Sequence, residues 1–168
     1  FEEVDKYIPN NFILFQPKDV VSGDFYWFEN VNGSSYVAAA DCTGHGVPGA
    51  LVSVVCSNAL NRCVNEFKLT EPSQILDKTR ELVIATFAKS GDNVKDGMDI
   101  AICAINGTKM TYAGANSPLW IVRETALLSD IQKKERDTYL GDKVSLIEYK
   151  ATRQSVGLYE AMKPFEQQ

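Results

Sequence analysis

The eight residues AADCTGHG, at positions 39–46, dominate the interpretation of this sequence. An apolar, strand-like run ends on Asp41, and glycines follow shortly after, so this carboxylate lies where a strand gives way to a turn. The stretch VSGDFYW, at positions 21–27, is similar, because Asp24 follows a glycine and opens an aromatic run that is typical of a strand. Two such carboxylates brought together would form an oxygen-only cation site, which suits Mg²⁺ or Mn²⁺ and a phosphate ester.

Each Asp also has a simpler explanation. An Asp after glycine is a common turn residue, and an Asp before a helix can act as a cap. For Asp24 or Asp41 alone, this explanation would be preferred. The matching positions of the two residues, each at one end of a predicted strand, favour the metal site instead.

Size and charge limit the classes of function. A chain of 168 residues fits one domain, predicted to span residues 1–168. The 17 Lys and Arg are outnumbered by 22 Asp and Glu, giving a net charge of −5, so nucleic-acid binding is not expected. The longest apolar run is well short of the roughly 20 residues that span a bilayer, so no direct membrane insertion is expected. Phe1 is not a natural first residue, and we expect further sequence upstream.

The cysteines and the single histidine argue against disulfides and zinc. Cys56 and Cys63 are seven residues apart on a predicted helix, hence about 10.5 Å apart along its axis. That separation is too large for a disulfide. No Cys-x-x-Cys occurs, so a zinc site is not predicted. This usage is typical of a reducing, cytoplasmic compartment.

Hydrophobic patterning predicts helices and strands in one mixed fold. Residues 48–65 have helical spacing with apolar side chains over much of the circumference, and Pro48 falls early, where a missing N–H costs nothing. Residues 71–89 form a second predicted helix, and the charged residues 129–143 a surface loop or hairpin. Strands are predicted at residues 12–15, 24–31, 36–40, 100–105, 110–113, 119–122 and 144–149. This order predicts an α+β fold of two sheets with helices packed outside.

A glycine-rich loop suggests a different function. Residues 44–49, GHGVPG, match the G-x-G-x-x-G spacing of dinucleotide-binding loops. Asp41 lies just before these glycines, where its charge would repel a pyrophosphate. The predicted helix is followed by another helix, whereas a βαβ unit requires a strand. A dinucleotide-binding enzyme is therefore a remote alternative.

Two further patterns suggest other catalysts. Cys56 and Arg62 have the C-x₅-R spacing of cysteine phosphatases, but the residues between them lack glycine and continue a helix, whose interior offers no free N–H groups to phosphate. A buried Cys and a solvated Arg explain them better. His45 suits general acid catalysis, and it suits equally a loop residue that hydrogen-bonds backbone near the start of a helix.

Five segments together resemble one protein family, in order and with compatible spacing over nearly the whole chain. Residues 17–26 (PKDVVSGDFY) and 41–50 (DCTGHGVPGA) look like the first two signature segments of the SpoIIE/RsbU branch of bacterial PP2C-like serine/threonine phosphatases. Residues 96–101 (DGMDIA), 112–119 (YAGANSPL) and 155–157 (SVG) are similar to later segments of that branch.

The resemblance implies an αββα sandwich, in which two antiparallel sheets are flanked by helices and two Mn²⁺ or Mg²⁺ ions lie at one end. By this resemblance, Asp41 bridges the two ions, the backbone carbonyl of Cys42 helps to hold one, and Asp24 binds the pair directly or through water. Lys18 is a candidate for contacting the substrate phosphate. Either Asp99 or Asp96 is a candidate ligand of a third metal. The acid histidine of the eukaryotic branch has a different spacing, so its role is not transferred to His45.

The resemblance also implies activity and partners. The family hydrolyses phosphoserine or phosphothreonine with a metal-activated water, and its substrate is usually an anti-sigma-factor antagonist. An upstream sensor or receiver domain is expected, with residues 1–10 as the end of a linker or switch helix. The late acidic metal ligands of the family do not occur in this chain, so we expect an incomplete sandwich whose open edges could form a homodimer. A catalytically inactive, phosphatase-like binding module is the main alternative.

Overall fold

Two antiparallel sheets and two long helices form most of the structure, a computed structural model that describes residues 2–88, 96–130, 137–157 and 161–168. The helices are α1 (Glu2–Tyr7), α2 (Gly46–Asn65) and α3 (Pro72–Ala88), with a 3₁₀ turn at Thr125–Leu127. The strands are β1 (Phe25–Val31), β2 (Ser34–Cys42), β3 (Gly97–Asn106), β4 (Lys109–Ala115), β5 (Leu119–Glu124), β6 (Thr138–Tyr139), β7 (Val144–Tyr149) and β8 (Val156–Gly157). The predicted α+β class with two antiparallel sheets is confirmed.

The larger sheet has the order β1-β2-β3-β4, and β8 pairs with the start of β3. The smaller sheet has the order β5-β7-β6. β1 and β2 form a hairpin whose turn residues, Asn32 and Gly33, both have positive φ (54° and 79°). Positive φ at both positions belongs to the tight hairpin turn that matches strand twist, and asparagine followed by glycine is its preferred sequence.

Helices α2 and α3 pack on one face of the larger sheet. α2 contacts β1, β2 and β3, whereas α3 contacts β3, β4 and β8. The covered face contributes alternate residues of β2 and β3 to the core, and these are Tyr36, Ala38, Ala40, Cys42, Met98, Ile100 and Ile102. Leu60 of α2 and Ile75 of α3 are fully buried against them. The alternate strand residues that face the helices and the wide apolar surface of α2 therefore pack together in a single core.

α2 is the one helix of the described ranges that is long and apolar enough to cross a membrane, with a mean hydropathy of 1.2 over 18 residues. Length and composition alone are weak evidence for a span, because the core helix of a folded domain has them as well. α2 buries Cys56, Leu60 and Cys63 completely within the core. All four cysteines of the chain are free and buried, so the absence of a disulfide between Cys56 and Cys63 is confirmed.

The structure differs from the secondary-structure prediction in two places. Residues 12–15 form no strand, although they are apolar, because their backbone pairs with no neighbouring strand. Phe12 and Leu14 are accordingly 91% and 76% exposed. β8, which the sequence pattern did not predict, has only two residues, too few to produce a periodic signal. Composition indicates an extended backbone, but a strand also requires a hydrogen-bonding partner.

Other predicted segments are found with shifted limits. α3 begins one residue later than predicted, with Pro72 at its first position, and Lys89 lies outside the described residues. Within the predicted surface loop or hairpin at 129–143, residues 131–136 also lie outside the described residues. β6 lies in this segment and pairs with β7, the strand that follows it. The outer edge of β4 is not open, since the backbones of Tyr112 and Gln168 exchange hydrogen bonds of 2.7 and 2.8 Å.

Candidate metal centre

The two aspartates singled out from the sequence meet at the ends of adjacent strands. Phe25 pairs with Ala40 in the β1–β2 register, so Asp24, just before β1, lies beside Asp41, near the end of β2. The Asp24 carboxylate lies near enough to that of Asp41 for its negative charge to raise the pKa of Asp41. Because the two residues are adjacent through strand pairing and not through sequence, the hairpin itself forms the carboxylate pair.

Glycine allows the backbone around Asp24 to approach the loop after β2. A Cβ atom on Gly23 would lie 2.9 Å from the carbonyl oxygen of Gly44 and 3.0 Å from that of Cys42. Side chains do not tolerate such distances to backbone oxygen, so only glycine fits here without a shift. Ser22 Oγ accepts a hydrogen bond of 2.9 Å from the Asp24 N–H. The Cys42 carbonyl and Asp24 therefore belong to one tightly packed turn region.

A third carboxylate lies at the same end of the sheet, since Asp99 of β3 pairs directly with Asp41 of β2. Partial burial raises the pKa of Asp41, and the negative charges of Asp24 and Asp99 raise it further. Mutual repulsion among carboxylates is the condition that a bound divalent cation relieves.

These donors fit part of the coordination shell of a hard cation. Asp24, Asp41 and the Cys42 carbonyl offer oxygen only, which is the chemistry that Mg²⁺ and Mn²⁺ prefer. Within the described ranges, no three His, Cys, Asp or Glu side chains are close enough together to hold a metal ion by themselves. The remaining ligands would be water, which Mg²⁺ commonly retains, or groups that the described residues do not supply.

The aspartate pair opens into a groove of about 760 Å³ on the face of the larger sheet that α2 and α3 leave uncovered. Its floor is formed by β1, β2 and β3, and one wall by the segment that follows α1. Tyr7 and Phe15 of that N-terminal region contact the rings of Phe28 and Tyr26, respectively. The groove is mostly apolar and has the two carboxylates at one end.

The other predicted site residues lie around this pair. Lys18 is exposed on the loop that leads to Asp24 and forms no ion pair with any described residue. Asp96 directly precedes β3, and its carboxylate has no hydrogen-bond partner in the part of the chain that the structure covers. His45 is exposed, with Nδ1 3.5 Å from Asp19 Oδ2, and makes no side-chain cap on α2. The prediction that the His45 side chain hydrogen-bonds backbone at the start of α2 is therefore wrong.

The patterns that suggested other enzymes have structural explanations. The chain runs from β2 through α2 and α3 to β3, and β2 and β3 are antiparallel, so residues 44–49 do not belong to a parallel βαβ unit. Cys56 is fully buried inside α2, and Arg62 Nε donates to Glu66 Oε2 at 2.9 Å. A buried Cys and a surface Arg are what the simpler explanation predicted.

Sequence reasoning missed two polar residues beside Asp99. Asn116 and Ser155 both donate hydrogen bonds to Asp99 Oδ1, at 2.9 and 2.5 Å. Both residues occur in segments that resemble family motifs, which was the available signal, but the sequence assigned them no role. Their proximity to Asp99 depends on how β4 and β8 lie against β3.

Comparison with solved structures identifies the fold. The SiaA-PP2C domain of Pseudomonas aeruginosa superposes with a TM-score of 0.73 at 21% identity, over 99% of this chain and 58% of that one. The fold is that of a PP2C domain. This result confirms the fold that the motif resemblance implied. No protein-family model and no curated protein matches the sequence.

Two further structures match this PP2C fold less closely. One is from the bacterial stressosome, described as a modular system adapted to control secondary messenger signalling, with a TM-score of 0.59 at 17% identity, over 90% of this chain and 63% of that one. A Stage II Sporulation E family protein from Thermanaerovibrio acidaminovorans aligns at 14% identity over 58% of this chain and 46% of its own, with a TM-score of 0.48, too low to support the assignment. The chain spans less than two thirds of each of these proteins.

Proposed function

We propose that this chain is the metal-binding part of a Mn²⁺- or Mg²⁺-dependent serine/threonine phosphoprotein phosphatase of the SpoIIE/RsbU type. The observation that carries the proposal is the pair of Asp24 and Asp41 at adjacent strand ends of a PP2C fold. An oxygen-only donor set beside an open groove suits cations and a phosphate ester better than it suits a thiol or serine nucleophile.

In this proposal each residue near the pair has a defined task. Asp41 and Asp24 hold the cations together with the Cys42 carbonyl, and the packing of Gly23 fixes the spacing between them. When bound, two such cations supply an activated water and neutralise charge on the phosphoryl oxygens. Lys18, exposed on the neighbouring loop, is proposed to bind the substrate phosphate. Asp99 or Asp96 is proposed to bind a third metal ion.

The proposed setting is bacterial signalling in the cytoplasm. The substrate would be a phosphorylated anti-sigma-factor antagonist, and the input an upstream sensor or receiver domain connected through residues 1–10, where α1 lies. Homodimer formation is part of the same proposal. Support for the substrate and the upstream domain comes from the resemblance of the five sequence segments alone, whereas the homodimer rests on the open sheet edges expected of an incomplete sandwich.

A second candidate is a phosphatase-like module that binds a phosphoprotein without hydrolysing it. The observation that favours this candidate is that no cluster of three metal-ligating side chains exists among the described residues. Two carboxylates hold a hard dication less firmly than the larger sets found in tight oxygen-ligand sites. The two candidates share a fold and differ in whether cations and turnover accompany binding.

The experiment measures Mn²⁺ binding by calorimetry and Mn²⁺-dependent phosphate release from a phosphoserine protein, with Asp41→Asn as the test variant. Asp142→Asn, which alters an exposed carboxylate distant in sequence, is the matched control. We expect binding and turnover that disappear in Asp41→Asn and with chelator but persist in the control. Phosphoprotein binding without turnover would support the second candidate. The absence of Mn²⁺ binding by the unmodified chain would contradict the metal centre.

A further inference from the structure

Three side chains beside the aspartate pair form a closed hydrogen-bonded ring, which we call the Asp99 ring: Asp99, Asn116 and Ser155. Asn116 Nδ2 donates to Asp99 Oδ1 at 2.9 Å and to Ser155 Oγ at 3.1 Å. Ser155 Oγ donates to the same Asp99 Oδ1 at 2.5 Å. Both amide hydrogens and the hydroxyl hydrogen are used, and two of them converge on one carboxylate oxygen. Asp99 Oδ2 receives no donor from any residue that the structure describes.

The backbone holds the members of the Asp99 ring in place. The Asn116 N–H donates to the Thr152 carbonyl at 3.0 Å, and the Thr152 N–H donates to the Gly114 carbonyl at 2.9 Å. Ser155 directly precedes β8, which pairs with the start of β3. A Cβ atom on Gly97 would lie 2.4 Å from the carbonyl oxygen of Val156, so glycine is required for this close approach. Main-chain pairing therefore brings the three ring residues together, and the hydrogen bonds of the ring itself join their side chains.

The Asp99 ring lies next to the proposed metal centre. Asp99 is the direct cross-strand partner of Asp41, and its charge acts on that carboxylate. Ring hydrogen bonds occupy only Oδ1, which fixes the carboxylate plane while the second oxygen stays available. Carboxylates that serve metals are commonly oriented by such outer hydrogen bonds, and losing one typically weakens metal affinity about 10- to 100-fold.

We propose that Asn116 and Ser155 are positioning residues of the metal centre, which hold Asp99 Oδ1 so that Asp99 Oδ2 contacts the cations at Asp24 and Asp41 through water. This inference rests on the proposed function, because it requires a cation at the aspartate pair. The two residues act through Asp99 and contact neither the cations nor the substrate.

The test measures Mn²⁺ affinity of the chain by isothermal titration calorimetry. Asn116→Gly removes the amide and tolerates the positive φ of 56° at this position. Asn32→Gly is its matched control, because Asn32 has a φ of 54° in the distant β1–β2 turn. Ser155→Ala removes the hydroxyl, whereas Ser155→Thr keeps one. We expect Asn116→Gly and Ser155→Ala each to weaken Mn²⁺ binding about tenfold, and both Asn32→Gly and Ser155→Thr to bind like the unmodified chain.

An isosteric Asp99→Asn background separates positioning from a purely structural role. If Ser155 acts through the Asp99 carboxylate, Ser155→Ala causes no further loss of affinity in that background. An equal loss in both backgrounds would overturn the inference. Thermal unfolding identifies folded variants, and should Ser155→Ala not fold, Asn116→Gly answers the same question. Affinity that depends on Asp41 but not on Asn116 or Ser155 refutes this inference alone, whereas no Mn²⁺ binding by the unmodified chain refutes the proposed function and the inference with it.

Discussion

The two faces of the β2–β3 pair have the same backbone and opposite character. On the face covered by α2 and α3, Tyr36, Ala40 and Ile102 are buried in the core. On the other face, Ala39 and Asp41 are exposed at the floor of the groove. Because successive side chains of a strand point to opposite faces, one sequence supplies both a core and a candidate site.

The comparison separates stability from chemistry within a single strand. Apolar burial against the helices stabilises the sheet, so the uncovered face can carry carboxylates that repel one another. Ala40 and Asp41 are neighbours in sequence, yet one packs in the core and the other belongs to the aspartate pair. The following predictions test how far this separation extends, in order of decreasing effect on stability.

The largest effect is expected from Ile102→Ala, because Ile102 is fully buried under the helices. Removing its side chain should lower the free energy of unfolding by about 2–5 kcal/mol, since the lost transfer energy adds to that of the cavity. Ile105→Ala is the matched control on the same strand, where Ile105 lines the groove and is only half-buried. Urea unfolding followed by circular dichroism measures both. Equal losses would mean that the uncovered face is packed as tightly as the core.

Gly114→Ala tests a position on the groove face of the sheet where Tyr112 and Ser117 pack closely against the backbone. A Cβ atom at Gly114 would lie 2.0 Å from Tyr112 Oη and 2.5 Å from the Ser117 carbonyl, to which Tyr112 donates at 2.6 Å. Forcing these groups apart should cost about 1–3 kcal/mol. Gly107→Ala, at a φ of 58° with open space around it, is the control and should cost about 1 kcal/mol from backbone strain. A smaller loss for Gly114→Ala in thermal unfolding would contradict the close contact.

Asn61→Ala tests the attachment of α2 to β1. Trp27 Nε1 donates to Asn61 Oδ1 at 2.7 Å, and Trp27 is buried, so the variant leaves its N–H unpaired. We expect a loss of about 1 kcal/mol in urea unfolding. Asn58→Ala, at an exposed position of the same helix, should change stability by less than about 0.5 kcal/mol. The hydrogen bond is unimportant if the two variants are equally stable.

The smallest effect concerns the aspartate pair and depends on pH. The folded state raises the pKa of Asp41 above its ordinary value of 3.8, so the folded chain binds this proton more tightly than the unfolded chain. The stability due to Asp41 is therefore present at low pH and is lost as the pH rises through the raised pKa. In chelator, Asp41→Asn should unfold at a higher temperature than the unmodified chain at neutral pH, but not below pH 3. A difference that does not vary with pH would contradict repulsion within the pair.

Local pattern was sufficient for much of the fold. The helical spacing of residues 48–65 and 71–89 predicted α2 and α3, because periodicity follows from helix geometry. The apolar runs at residues 36–40 and 100–105 predicted two strands of the larger sheet, β2 and β3. The same approach failed for residues 12–15, whose composition is apolar but whose backbone has no pairing partner. It also missed β8, a two-residue strand that is defined by its pairing with β3.

The sequence by itself determined the candidate site residues, Asp24 and Asp41 at predicted strand ends, together with the glycines where the backbone turns and the motifs that resemble PP2C-like phosphatases. Only the tertiary structure decided which side chains meet. Asn116 and Ser155 are 17 and 56 residues from Asp99 in the chain, and strand pairing brings them to one carboxylate oxygen. The reason is physical, since residue type and period are local properties, whereas contacts between distant residues depend on register and on the close approach of backbones.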